Sequence, residues 1–165
     1  MRFQLLDKTK KKKIIEKISY LGINKIPYLL LTTGKEKIRA FSGVFSNEEL
    51  CEIRKILPIE GVGLYFGKQV GRPGQEEIRL SIDALHMLQK QITSNKVELS
   101  EEQTEKWFEG KDIELTKDDQ ELAEKNKTSG FVAVMFNKDI IGTGKISQDK
   151  KVIYNYLPKE RRRKN

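Results

Sequence analysis

GFVAVMFNKDIIGTGKIS, residues Gly130 to Ser147, is the stretch from which the fold reads outward. Gly130 to Phe136 and Ile140 to Ser147 are β-branched and apolar runs, and Asn137-Lys138-Asp139 between them is polar and turn-forming, so the segment predicts a β-hairpin. Downstream, Val152 to Tyr156 reads as a further strand. Upstream, Val97-Glu98-Leu99 reads as a strand, and Ser100-Glu101-Glu102-Gln103 is a capping box that opens a helix through Trp107 and Phe108 to a stop at Gly110. The mixed acidic and basic residues before the hairpin read as a loop. Many short strands with one helix in about seventy residues predict a small, closed or nearly closed β structure.

The first part of the chain alternates helix and strand signals without a repeat. Ile14, Ile15, Ile18 and Leu21 fall at helical spacing within Lys10 to Leu21, and Gly22 supplies a stop. Tyr28 to Thr33 and Glu36 to Phe41, around Thr33-Gly34-Lys35, predict a hairpin. Ser46-Asn47-Glu48-Glu49 is a capping box for a helix through Leu50, Ile53, Ile56 and Leu57, with Pro58 ending it. Two short strands, in GVGLYFGKQVG and EIRLS, precede a helix in IDALHMLQKQI. The polar residues Thr93 to Lys96 mark a boundary. The expected organisation is a mixed α/β domain over residues 1–93 and a β-rich domain over 94–165, an α+β protein.

At 165 residues and 37% apolar, the chain can hold one core of ordinary size or two small ones. No apolar run approaches the ~20 residues of a membrane span, and Ile26 to Leu31, with Pro27 inside it, falls far below it. Met1 to Leu6 is too short an apolar block for an export signal, so no membrane is expected and the cytoplasm is the expected compartment. The single cysteine, Cys51, excludes an internal disulfide and a multi-cysteine zinc site, and its place in a helical pattern predicts a small buried residue. No metal or cofactor is expected.

The net charge of +8 is concentrated at two places. Lys8 and Lys10 to Lys13 form one cluster; Lys159, Arg161, Arg162, Arg163 and Lys164 form the other. The rest of the chain is close to neutral. Such asymmetry suggests a polyanion-binding surface, and arginine favours phosphate because its planar fork grips two oxygens at once. A solvated helix face is the competing reading for Lys10, Lys11, Lys12 and Lys13. Tyr154 and Tyr156 alternate with Asn155, so one face of the last strand can offer a ring for base stacking, although aromatic strand residues ordinarily pack inward.

The order of strand, SEEQTEKWFEGKDIEL, GFVAVMFNKDIIGTGKIS and VIYNYLPKERRRKN resembles a PUA domain, the RNA-binding pseudobarrel. The tail YLPKERRRK is similar to the end of the PUA-like domain of Nol/Nop/Sun-type rRNA cytosine methyltransferases. The first unit, with GLYFGKQVG followed by IRLSIDALHML, resembles the domain that precedes PUA in Nip-type ribosome biogenesis proteins. The resemblance implies a pre-PUA α/β domain followed by a PUA-like β pseudobarrel. It implies an RNA contact built from the helix-end loop at Lys111, flanked by Glu109 and Asp112, and from Lys159, Arg161, Arg162, Arg163 and Lys164; strand alternation adds Tyr156 as a candidate, and charge alone adds Lys10 to Lys13 as a second cluster. Implied partners are rRNA or tRNA, with ribosome assembly factors or an RNA methyltransferase beside them.

Catalysis finds no support in the residues. GTGK fails as a P-loop, because Asp139 stands where the first glycine is needed and Ile146 where Ser or Thr is needed. The single histidine, His86, sits in an apolar helical run, and Cys51 has no histidine near it in sequence to activate a thiolate. The expected function is therefore non-catalytic binding of structured RNA, in ribosome biogenesis or RNA modification. The alternatives are an accessory subunit docked on a separate modifying enzyme and a protein-interaction module.

Overall fold

A computed structural model describes residues 3–34, 36–57 and 62–163. The chain divides into two compact units, Met1–Ile18 with Asn24–Ala84, and Ser19–Ile23 with Leu85–Asn165. No helix among the described residues is long and apolar enough to cross a membrane.

The first unit is built on a five-stranded antiparallel sheet in sequential order: β1 (Phe3–Leu5), β2 (Leu29–Thr33), β3 (Lys37–Phe41), β4 (Leu64–Val70) and β5 (Glu77–Leu80). Helix α1 (Lys8–Ile18) inserts Ile14 and Ile18 against it and gives way to a 3-10 turn, Ser19–Leu21, before Gly22 at φ +92°. The predicted helix thus starts two residues earlier and ends in tighter winding. Helix α2 (Asn47–Ile56) carries the capping box read from the sequence: Glu49 N–H donates to Ser46 Oγ, and Ser46 N–H donates to the Glu49 carboxylate. Leu50 meets Leu31 and Val62 in the core. Cys51 is exposed, a correction: residues in sequence on a helix lie about 100° apart, so Leu50 takes the inward position and its neighbour turns out. Pro58, expected to stop this helix, and Lys35 of the predicted turn lie outside the described residues. Helix α3 (Ile82–Leu88) follows β5.

The second unit holds a curled half-barrel sheet. Its strands are β6 (Lys96–Glu98), β7 (Ile113–Glu114), β8 (Phe131–Phe136), β9 (Asp139–Ile146) and β10 (Val152–Asn155), in the order β6-β8-β9-β10-β7. The predicted hairpin is β8–β9, turning at Asn137 and Lys138 with φ of 49° and 69°, the two positive values of the tight turn that matches strand twist. Helix α4 (Glu101–Phe108) has its Ser100/Gln103 capping box in place. The mixed-charge stretch expected as a loop contains β7 and a second helix, α5 (Lys117–Lys125), capped reciprocally by Thr116 and Asp119. The expectation of one helix fails here because α5 buries only Ala123 and so shows almost no apolar stripe.

Trp107, fully buried, anchors this core with Val132, Val134, Ile146, Ile153 and Leu157. Its ring lies on β9 at Gly142, where a β-carbon would come within 2.8 Å of Trp107 Cζ2. The glycine of the G-x-G step is therefore a packing requirement, not a phosphate cradle. His86 has its Nε2 2.7 Å from the carbonyl oxygen of Ile140.

Candidate nucleic-acid interface

Strand periodicity organises the tail. Ile153 and Leu157 enter the core, at 0% and 2% exposure, so the residues alternating with them face outward. Tyr154 and Tyr156 are 46% and 38% exposed, which corrects the expectation that both pack inward. Tyr156 still has support: its ring meets the edge of Phe131 at 5.6 Å between centroids. Lys145 Nζ stands 4.8 Å from the centroid of the same Phe131 ring. In the sheet register Phe131 lies opposite Lys145, and Lys145 opposite Tyr154. Directly opposed residues share a face, so an aromatic and cationic row crosses three strands.

After Pro158 the chain makes a 3-10 turn, Lys159–Arg161, and returns to the end of α4. Arg163 N–H donates to the carbonyl of Phe108 at 2.8 Å. Arg162 Nε donates to the carbonyl of Leu157 at 3.0 Å, and its side chain packs over Gly110. The tail is thus held against the helix-end loop by its own backbone and by one arginine. Lys159, Arg161 and Arg163 are exposed, whereas Arg162 is half-buried and structural in its contacts.

Asn155 fixes the loop from the other side. Its Nδ2 donates to the carbonyls of Trp107 at 2.8 Å and Lys111 at 2.9 Å, and its Oδ1 accepts from Leu157 N–H at 2.7 Å. Asp112 Oδ1 accepts from Asn155 N–H at 2.8 Å, so this acidic residue is committed to backbone geometry. Lys111 pairs with Glu109 at 2.6 Å. The hydrogen bond and charge of Lys111, with smaller contributions from Arg163 and Lys106, hold the Glu109 carboxyl below the usual carboxylate range. The acidic side chains of this loop are accordingly neutralised or hydrogen-bonded, which leaves the exposed cations to set the local potential.

Residues 94–163 match the family model of the methyltransferase RsmF PUA domain. The chain carries a PUA domain. PUA domains are RNA-binding modules. No curated protein matches the chain at a significant level. The matched span runs from just before β6 to the tail and contains Lys111, Tyr156, Lys159, Arg161, Arg162 and Arg163. Of these, Lys111, Arg162 and Arg163 meet at the α4 C-terminus, through the Glu109 pair, the packing over Gly110 and the bond to Phe108, whereas Tyr156 packs on Phe131. Lys164 lies outside the described residues.

The N-terminal lysines belong to the other unit and do not all share one surface: Lys10 and Lys13 line one cleft, whereas Lys11 and Lys12 do not. Lys11 Nζ donates to the carbonyl of Tyr28 at 2.7 Å, and burial, then the charge of Lys25, lowers its pKa from the ordinary lysine value. Lys12 lies 4.0 Å from Glu16, and Lys10 lies 3.9 Å from Asp7. Helical winding, about 100° per residue, spreads the run around the axis. Two residues of the site, Lys145 and Asn155, escape a reading of the sequence. Lys145 becomes visible only through strand register, and an asparagine at a strand end carries no signal of the carbonyls it will meet.

Proposed function

We propose that this chain is a non-catalytic RNA-binding protein whose PUA domain grips structured RNA, rRNA during ribosome assembly or modification in the cytoplasm. The carrying observation is the exposed pair Tyr154 and Tyr156, followed in the chain by exposed Lys159, Arg161 and Arg163 on a tail pinned to the α4 end. Cations anchored this way bind phosphates at a lower ordering cost than cations on a loose tail. Their contacts would release counterions and read shape more than sequence, while the tyrosine rings would stack on unpaired bases.

A second reading makes the chain an accessory subunit that brings RNA to a separate methyltransferase. It is favoured by the matched model, which is that of a methyltransferase's own PUA domain, and by exposed apolar side chains on the first unit, among them Val44, Ile56 and Leu64.

The test is a titration of a labelled RNA hairpin with the full chain and with the double variant Arg161→Ala/Arg163→Ala, across a series of salt concentrations. The variant should bind more weakly, with the salt slope reduced by roughly one for each phosphate no longer neutralised. Hairpin RNA should be preferred over duplex DNA of the same length, through A-form shape and 2′-hydroxyl contacts. Unchanged affinity at low salt would remove the tail from the interface. Capture of a methyltransferase by the full chain, abolished on substituting Val44 and Ile56 with charged residues, would favour the second reading.

A further inference from the structure

A cleft of about 540 Å³ lies in the first unit, on the face of the sheet against which α1 packs. Register places its sheet residues together: Gln4 is opposite Thr32, Thr32 opposite Ile38, and Gln69 opposite Ile78. From α1 come Lys10, Lys13, Ile14 and Lys17, a spacing that puts all four on one side of the helix. The helix covers only part of this sheet face, and the uncovered part is the cleft. Its volume falls within the range of small-ligand sites, about 300–1,000 Å³, and its lining has their character, an apolar floor with a few polar groups.

The charges are unequally matched. Glu76 in the cleft is engaged by Lys17 at 3.3 Å, and Glu36 by Lys68 at 2.9 Å. Lys13 has no carboxylate partner among the described residues, and Lys10 has only the distant Asp7 at 3.9 Å. Two lysines about one helical turn apart therefore line the cleft with little to neutralise them. The same lining holds two primary amides, Gln4 and Gln69, each both donor and acceptor, the pairing chemistry that suits a base edge. Ile14, Ile38 and Ile78, each largely buried, supply the apolar part of the lining.

We propose that this cleft binds a phosphorylated nucleoside, with the phosphate on Lys10 and Lys13, the base over the isoleucine floor and its polar edge on Gln4 or Gln69. The proposal is independent of RNA binding by the PUA domain. The ligand can be a free nucleotide or the 5′-terminal nucleotide of an RNA, and the experiment separates the two.

The full chain, isotopically labelled, is titrated with AMP, adenosine, inorganic phosphate, and an RNA tetranucleotide with and without a 5′-phosphate. AMP should shift the amides of Gln4, Thr32, Gln69 and Ile78. Adenosine and inorganic phosphate should each bind at least about tenfold more weakly than AMP, as should AMP to the Lys10→Ala/Lys13→Ala variant. Gln69→Leu, which keeps the side chain's bulk, should weaken AMP binding while leaving the spectrum elsewhere intact. Tighter binding of the 5′-phosphorylated tetranucleotide than of AMP assigns the site to an RNA end; weaker binding assigns it to a free nucleotide. Absence of shifts at millimolar AMP, phosphate binding as tight as AMP, or AMP binding undiminished in the folded lysine variant overturns the proposal.

Discussion

The side chain of Arg162 lies across the α-carbon of Gly110, so close that a β-carbon on Gly110 would come within 2.6 Å of Arg162 Cδ. With Nε bonded to the carbonyl of Leu157, this arginine is a clasp and not a phosphate hook. Arg162→Ala should destabilise the PUA domain by about 1 kcal/mol, through removal of the hydrogen bond and the packing. Arg161→Ala and Arg163→Ala should each stay within about 0.5 kcal/mol of the parent. Urea unfolding read by Trp107 fluorescence checks this, since the sole tryptophan is buried in that domain. Equal losses at all three positions would remove the distinction.

Gly110→Ala tests the same packing from the other side. Gly110 sits at φ +84°, where a side chain costs about 1–2 kcal/mol. The flexible end of Arg162 must also move aside. The double variant Gly110→Ala/Arg162→Ala should therefore be less destabilised than the sum of the single variants, by about 0.5 kcal/mol or more. Additive losses would mean that the two residues do not touch.

Asn155 supplies three side-chain hydrogen bonds to groups on both sides of the α4 loop. Asn155→Leu should cost about 2 kcal/mol, with the Lys111 carbonyl and the Leu157 N–H losing this partner while the Trp107 carbonyl keeps Gly110 N–H. Asn155→Asp should not rescue it, because a carboxylate can accept from Leu157 N–H but would face the carbonyl oxygens of Trp107 and Lys111. Recovery of parental stability in the Asp variant would count against this role. The Trp107 fluorescence midpoint is again the readout.

For Glu109 the depressed pKa fixes the sign of a pH effect. The stabilising contribution of the Glu109–Lys111 pair is fully present above the ordinary glutamate pKa and is lost as pH falls through the lowered folded value. Carboxyl-carbon NMR titration should place Glu109 below unperturbed glutamates, and Lys111→Gln should move its midpoint up toward them. A midpoint unaffected by the substitution would contradict the pairing.

Lys11 and Lys12, neighbours in one run, should respond differently. Lys11→Met removes the donor to the Tyr28 carbonyl and should cost about 1 kcal/mol in the first unit. Lys12→Met breaks only an exposed pair with Glu16 and should change stability by less than about 0.5 kcal/mol. Hydrogen exchange at the buried amides of Leu30 and Leu31 reports on that unit directly.

Features that depend on near neighbours are legible in the sequence. The Ser46 and Ser100 capping boxes, the stops at Gly22 and Gly110 and the hairpin around Asn137 each involve residues a few positions apart, so spacing alone specifies them. Helix α5 has its own signal in Thr116 and Asp119, but its weak apolar stripe hides it. The concentration of cations in the tail can be counted directly, and so can the order of elements that resembles a PUA domain.

What the tail does with each cation is decided by tertiary structure. Asn155 reaches carbonyls 48 and 44 residues away, and Lys145 gains its aromatic neighbours only through the pairing of β9 with β8 and β10. Arg161, Arg162 and Arg163 are identical in composition, yet the middle one is turned onto Gly110 and the other two remain exposed. Local spacing sets backbone conformation because its hydrogen bonds close within a turn or two. Side-chain partners are set by which distant strands and loops pack together, and that information is spread over the whole chain.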